Sequence, residues 1–328
     1  MARVSVIIVA FNQKEMLLET IDSLLKQTYP DVEIIVVDNN SMDGTSEYIK
    51  TKRPQVSYIK SDVNLGFAGG NNLGLEHSSG EYIALLNSDA IAQADWLETL
   101  AAAMDRHPDA GICATKMLAF GTEVIDSAGD GFSGVLKGFK RGEGLPSRSY
   151  EKEEYVFGAC AGAALYRKKM LDEIGFLDED FFLIHEDTDL NFRAQLTGWT
   201  VVYVPKAIAY HKVRSTIGNM SDIAIYYTLR NSEFVRLKNI PLVVFLVRLP
   251  EYIFGTAADF FYFALRHRKL KLYFNAKIDA AKMIKMMWGK RKKIMTMKKV
   301  EDKYLYRMMT SIWSREFFLG KVKKFFSG

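Results

Sequence analysis

A chain of 328 residues, 48% of them hydrophobic, is long enough for one large domain with an appendage or for two domains, and that composition excludes a disordered or fibrous protein. The modest net charge of +5 conceals a split, because residues 266–328 carry a net of +15 and residues 1–265 a net of −10. An acidic body with a basic tail points the tail toward an anionic membrane surface or nucleic acid. Cys113 and Cys160 cannot build a disulfide framework and have no CxxC spacing, which favours a reducing compartment. The opening MARVSVIIVAFNQ lacks a small-residue cleavage site and passes into polar sequence, so it reads as a first strand and not as a signal peptide.

In chain order, VSVIIVA (4–10), VEIIVVD (32–38), VSYIK (56–60) and EYIALLN (81–87) are apolar, β-branched runs and predicted strands. EMLLETIDSLLKQ (15–27) sets Met16, Leu17, Ile21, Leu24 and Leu25 on one face, and DWLETLAAAMDRH (95–107) repeats that helical pattern. Apolar strands separated by helices imply a parallel sheet covered on both faces, with ligands at the carboxyl ends of the strands. NLGFAGGNNLGL (64–75) spends four glycines where backbone must turn or lie close against something else. Residues 120–155 turn to glycine, serine and charge and read as hairpins with a loop over the site. HEDTDLNFRAQLTGW is a predicted helix closed by Gly198, and beyond WTVVYVP the chain is helical, basic, aromatic and Met-rich.

Each predicted strand ends in polar groups: Asn12, then Asp38 with Asn39 and Asn40, then Asn64, then Asn87 and Asp89. Singly these are turn or cap residues; together they can line one edge of a parallel sheet, where Asp38 is placed for base or ribose contacts. A redox dinucleotide fold is disfavoured, since GFAGG (66–70) is not G-x-G-x-x-G and the first strand-to-helix turn, AFNQKE, has no glycine; a Walker A lysine is also missing. Asp89 suits a hard divalent cation bridging a diphosphate. Glu186, Asp187 and Asp189 crowd the start of one helix, where the dipole favours carboxylates.

In order, VSVIIVAFNQ, VDNNSMDGT, NLGFAGGNN, LLNSDA, GACAGAALYRK, GFLDEDFFLIHEDTDLNFR and GWTVVYVPKAIAYH resemble the family 2 glycosyltransferases over roughly residues 3–235, and look most like their bacterial rhamnosyltransferase-like branch. The resemblance implies an α/β GT-A catalytic domain (Rossmann-like, mainly parallel sheet) that inverts the anomeric centre of a nucleotide-sugar donor. It implies that Ala10, Phe11, Asn12, Asp38 and Asn40 contact the base and ribose, and that Asn64, Gly69, Gly70, Asn71 and Asn87 bring backbone and amide groups to the nucleotide. Asp89 matches the last acid of the family's DxD-type metal motif, reduced here to the single carboxylate of Asn87-Ser88-Asp89, and His211 a histidine completing metal or diphosphate binding, so the implied cofactor is Mg²⁺ or Mn²⁺. Asp187 matches the catalytic base. Glu186, Asp189, Gly158, Ala159 and Gly162 are then the acceptor side, although GACAGAA reads equally as close packing.

The resemblance fades after YYTLRNSEF, which sets a boundary between residues 1–235 and a helical, basic region 236–328. Arg248, Glu251 and Asp259 interrupt its apolar stretch, short of the roughly 20 residues of a spanning helix. Tyr273, Ala276, Ala280, Met283, Ile284 and Met287 share one face opposite Lys271, Lys282 and Lys285, the pattern of an interfacial amphipathic helix. Trp288, Trp313, Phe317, Phe318, Phe325 and Phe326 add aromatic anchors; packing on the body or homo-oligomer contacts are the alternatives. No zinc, RNP or helix-turn-helix signature supports nucleic acid. The expectation is an enzyme peripheral to the cytoplasmic face of the membrane, moving a sugar, L-rhamnose among the candidates, from a dTDP- or UDP-sugar to a lipid-linked or polysaccharide acceptor in cell-envelope glycan synthesis. A catalytically silent sugar-nucleotide-binding or scaffolding relative is the alternative.

Overall fold

A computed structural model describes residues 3–212 and 221–312. The chain begins β1 (Val4–Ala10), α1 (Lys14–Leu24), β2 (Val32–Asp38), α2 (Thr45–Lys52), β3 (Ser57–Lys60), α3 (Gly66–Glu76), β4 (Tyr82–Leu86), β5 (Ala90–Ala92) and α4 (Trp96–Arg106). It continues through β6 (Ala110–Ala119), β7 (Ile125–Ala128), β8 (Asp130–Ser133), β9 (Gly138–Lys140), β10 (Glu154–Val156), β11 (Ala163–Arg167), α5 (Lys168–Ile174), α6 (Glu186–Leu196) and β12 (Thr200–His211). The C-terminal part is helical: α7 (Asp222–Asn239), α8 (Leu242–Asp259), a π-helical segment (Phe260–Arg266), α9 (Leu270–Lys282), α10 (Ile284–Met297) and α11 (Asp302–Met308), closed by β13 (Met309–Thr310).

The main sheet runs β10-β12-β6-β11-β4-β1-β2-β3. β4, β1, β2 and β3 are mutually parallel, as are β12 and β6, while β11 is antiparallel to both of its neighbours. One core on each face of the sheet satisfies strands that are apolar on both sides. The glycine-rich stretch forms a helix, α3, and not a turn toward a ligand. A Cβ on Gly70 would lie 2.7 Å from Val9 Cγ1, and one on Gly74 would collide with Ile7, so the glycines let α3 settle directly on β1. Each costs helix propensity of about 1 kcal/mol relative to alanine, offset by that close packing.

The sequence boundary at 235 falls inside the continuous helix α7. A third core joins Phe132, Phe157 and Phe192 to Phe234, Met287 and Ile294, so the C-terminal helices pack on the sheet's own appendages. A buried ion network crosses the same junction. Lys238 bridges Asp178 at 2.5 Å and Asp189 at 2.7 Å, Arg193 holds Asp189 at 2.9 Å, and Lys290 of α10 reaches Asp178 and Asp180, each at 2.5 Å.

This packing corrects the reading of the tail. Tyr273, Ala276, Ala280 and Met287 are buried, in contact with the body through α7, while Met283 is half-buried and Ile284 exposed, so most of the face expected to meet lipid is already covered. Of the expected aromatic anchors, Trp288 is half exposed, and Trp313, Phe317, Phe318, Phe325 and Phe326 lie outside the described residues. Among the described residues, no helix is long and apolar enough to cross a membrane.

Candidate active site

A cavity of about 420 Å³ opens beyond the carboxyl end of β4, and its walls bring together Asn87, Asp89, Gly162, Glu186, Asp187 and His211 from four separate stretches of chain. Asn87-Ser88-Asp89 leaves β4 in a tight turn, the Ala90 N–H donating to the Asn87 carbonyl at 3.0 Å. β12 ends beside it, so that His211 Nε2 faces Asp89 Oδ1 at 3.3 Å. On its other side His211 Nδ1 meets Asp126 Oδ2 at 3.0 Å, and Lys140 donates to Asp126 at 2.8 Å.

The electrostatics divide the cavity in two. Burial works to lower the His211 pKa, but its hydrogen bonds to Asp126 and Asp89 outweigh it and raise it to about 9. Burial works to raise Asp126, and His211 with Lys140 overcome it, leaving Asp126 at about 2. The opposite wall is carboxylate-rich and short of counter-charge. Burial raises Asp187 against the hydrogen bonds from Thr188 (backbone N–H 2.6 Å) and Ala161 (N–H 3.4 Å) that lower it. Burial, then the charge of Asp187, pushes Glu186 well up and Asp130 to about 8. Glu186 Oε2 is buried with no hydrogen-bond partner among the described residues. Carboxyl groups crowded in this way share protons at neutral pH and are poised to accept another.

The turn into α6 is built against backbone preference. Phe182, Ile184 and His185 all have positive φ (63°, 66° and 72°), a conformation that non-glycine residues rarely adopt and that concentrates at functional sites. His185 is held between Thr188 Oγ1 (3.3 Å) and Ser232 Oγ (3.2 Å), and burial, helped by Lys137 and Arg236, pushes its pKa down to about 3, so its ring is neutral.

Several expected site residues do other work. Asp189 faces away from the cavity into the Arg193–Lys238–Asn239 cluster, which overcomes burial and holds it at about 2, so it braces α6 and does not reach an acceptor. Gly158 and Ala159 pack on Asn191, whose Nδ2 donates to the Ala159 carbonyl at 2.9 Å, leaving Gly162 as the one member of that trio on the cavity wall. Gly70 serves helix–sheet packing, and a Cβ on Gly69 would lie 2.9 Å from Leu65 Cβ; Asn71 donates to the Phe67 carbonyl at 2.8 Å, and Asn64 accepts the Gly66 N–H at 2.9 Å to start α3. None of those four borders the cavity.

Ala10 and Asp38 pair across β1 and β2 at the adjoining sheet edge. Asp38 is fully buried, accepting the Ser41 N–H at 2.8 Å and the Tyr58 hydroxyl, so it shapes the turn from below. Asn12 and Asn40 take left-handed turns there, and Phe11 stands half exposed above them. The Ser88 hydroxyl donates to Gln13 at 2.6 Å, which ties this edge to the cavity.

Sequence reasoning missed Asp126, Asp130, Lys140 and Cys160. They sit on short hairpin strands and a loop, and Asp126 meets His211 across 85 positions. The available signal was the polar, glycine-punctuated texture of 120–155.

As a cation site, Asp89 offers one carboxylate oxygen, and His211 offers Nε2 once a cation displaces the proton held there, a set that fits Mg²⁺ or Mn²⁺ sharing its remaining positions with phosphate oxygens and water. Ligand atoms of Asp130, Cys160 and Asp187 also lie within 4.8 Å of one another, but burial pushes the Cys160 thiol up, and a neutral thiol suits a hard cation poorly.

A model of the family "Glycosyl transferase family 2" matches residues 5–175, more than half of the chain. The chain belongs to glycosyl transferase family 2. Among its relatives in the family, the poly-beta-1,6-N-acetyl-D-glucosamine synthase of Staphylococcus epidermidis is 23% identical over 222 residues, 66% of this chain and 52% of that protein. The chain thus spans about half the length of that curated relative. S. aureus TarS 1-349 in complex with UDP-GlcNAc superposes with a TM-score of 0.59 at 19% identity, over 94% of this chain and 93% of that one. The mannosyltransferase PcManGT from Pyrobaculum calidifontis in complex with GDP-Man and Mn²⁺ gives 0.56 at 18% identity, over 93% and 85%. At these identities the two structures establish the fold, the GT-A arrangement expected for the family.

Proposed function

We propose that this family 2 member is an inverting glycosyltransferase that moves a sugar from a nucleoside-diphosphate donor to a hydroxyl of a growing, lipid-linked envelope polysaccharide. The observation that carries the reading is one cavity with a cation-and-phosphate wall, Asp89 and His211, and a proton-accepting wall, Asp187 with Glu186. The relatives named above support a nucleotide-sugar donor and a polysaccharide product; the sugars in their names are N-acetylglucosamine and mannose, not rhamnose.

In this reading the nucleoside lies over Phe11, Asn12 and the β1–β2 edge, and its diphosphate runs along Asn87 and Asp89 toward His211. His211 keeps its Nδ1–H on Asp126, and loss of the Nε2 proton, which a cation beside Asp89 would favour, leaves Nε2 free to face that cation. A divalent cation held by Asp89 and His211 would neutralise the charge that builds on the leaving diphosphate. The acceptor hydroxyl enters beside Gly162 and hydrogen-bonds to the Asp187 carboxylate. As the acceptor oxygen bonds to the anomeric carbon, the bond to the diphosphate breaks on the opposite face and the hydroxyl proton passes to Asp187, which inverts the centre. The Thr188 N–H fixes the Asp187 carboxylate, and the buried Glu186, whose Oε2 has no partner among the described residues, is placed to hydrogen-bond to the sugar or the acceptor.

The test is turnover with purified protein against UDP-, dTDP- and GDP-sugars, dTDP-L-rhamnose among them, with Mn²⁺ or Mg²⁺ and then with EDTA. Donor cleavage that requires the cation supports the enzyme. Donor binding without cleavage under every condition, with lipid-linked acceptor present, would favour the silent binding relative that the single-acid Asn87-Ser88-Asp89 motif keeps in view.

A further inference from the structure

We propose that the outer face of α8 and of the π-helical segment after it docks, lying flat, on an anionic lipid surface. The inference extends the membrane-side reading above, on which it depends only for the purpose that docking serves.

The polarity of this helix is inverted. Leu242, Leu246, Ile253, Phe254, Phe261 and Leu265 are each more than half exposed; apart from the adjacent pair Ile253 and Phe254 they follow at steps of four or seven residues, which sets them on one outward face. The charged residues of the same helix point inward. Arg248 pairs with Glu251 at 2.5 Å and stacks 4.1 Å over the Tyr306 ring, while Asp259 bonds Lys137. An ordinary surface helix presents its charges to water and buries its apolar stripe, and an exposed apolar strip of this length marks an interaction surface.

Three observations choose lipid as the occupant. α8 is about 27 Å long at 1.5 Å per residue, and no described helix is able to span a bilayer, so an element with this stripe lies in the interface plane, sinking roughly 5–10 Å. Both acidic residues of α8 are turned inward, so its outer face carries no negative charge. The chain leaving the stripe is basic and exposed at Arg268, Lys271 and Lys285, interleaved with exposed Leu270 and Phe274 of α9, a rim complementary to anionic headgroups. A second copy would set the same basic rim against itself.

The surface is also connected to the chemistry. The inner side of α8 packs on the turn joining β8 to β9, with Gly255 against Val135. That hairpin carries Lys140 to Asp126 and sets Gly138 against Thr188 in the cavity wall. This hairpin therefore touches the inner side of α8 at Val135 and the acceptor wall at Gly138.

The experiment is co-sedimentation of the full chain with vesicles of phosphatidylcholine alone or with phosphatidylglycerol, at low and high salt, for wild type and for the double variant Ile253→Glu/Phe254→Glu. Donor cleavage, thermal midpoint and oligomeric state are measured on the same samples. We expect binding to the anionic vesicles, weakened by salt, and a loss on the order of 100-fold in the variant, with donor cleavage and midpoint unchanged. Wild type that ignores anionic vesicles at low salt, or a variant that binds as tightly as wild type, overturns the proposal and leaves the transferase reading standing if cleavage persists. Self-association without lipid that the variant abolishes also overturns it, assigning the face to a second copy. Absent donor cleavage beside intact vesicle binding overturns the transferase reading alone.

Discussion

Replacing Asp187 by Asn separates chemistry from structure in this cavity. The amide has the shape of the carboxylate, and its oxygen still accepts the Thr188 N–H now 2.6 Å from Asp187; only the long 3.4 Å contact with the Ala161 N–H is lost. The side chain can no longer take a proton, so turnover should fall by a factor of about 10² to 10⁴, or roughly 3–5 kcal/mol of barrier. Stability should move the other way or not at all. The charge of Asp187 is the chief neighbouring cause raising both Glu186 and Asp130, and each unit of such a rise is worth about 1.4 kcal/mol. Removing it relieves that strain at neutral pH. The assay pairs single-turnover sugar transfer and donor affinity with a thermal melt. A variant within tenfold of wild-type turnover moves the base elsewhere, and a midpoint several degrees lower makes Asp187 a structural residue.

Three further outcomes are expected. Because the Asp187 pKa is raised in the folded protein and the base works deprotonated, activity should fall as pH drops through a value above the ordinary carboxylate range; a plateau down to pH 4 in kcat/KM would refute this. Asp89→Ala should lower turnover roughly 10²-fold and abolish the response to Mn²⁺ after EDTA treatment, whereas an unchanged EDTA response would remove Asp89 from the cation's shell. His185, at about 3 in the fold against about 6.5 unfolded, makes stability present at neutral pH and lost as pH falls below 6.5, about 2 kcal/mol by pH 5. His185→Asn, which tolerates the left-handed backbone, should flatten that slope in urea melts between pH 7 and 5; a slope equal to wild type would show that the ring titrates normally.

The central sheet was legible because burial on both faces leaves no choice but apolar, β-branched runs, and β1, β2 and β4 fall within a residue of their predicted limits. The carboxyl-end placement of Asn87 and Asp89 followed from the same logic. α3 was not legible, since glycine is the signature of turns and its use here, to bring a helix onto β1, depends on a partner 60 residues earlier in the chain. Asp187 as the base and Asp189 on the acceptor side were both placed at the site, although residues two apart on a helix point about 200° from each other and only one of them can face a cavity. Asp126, Asp130 and Lys140 depend on hairpin pairings that no local pattern specifies.

The ion network that joins Asp178, Asp189, Lys238 and Lys290 has a consequence for building chimaeras in this family. Its charges come from the turn before α6, from α6 itself, from α7 and from α10, and Asp189 stands two positions from the residue assigned the proton. Grafting a foreign C-terminal helical region after residue 235 would take both lysines from the buried Asp178 and leave Asp189 with Arg193 alone, directly behind the reacting groups. Exchanges of acceptor preference between relatives should therefore carry the Asp178–Asp189 segment and the helices bearing Lys238 and Lys290 together, as one inherited unit.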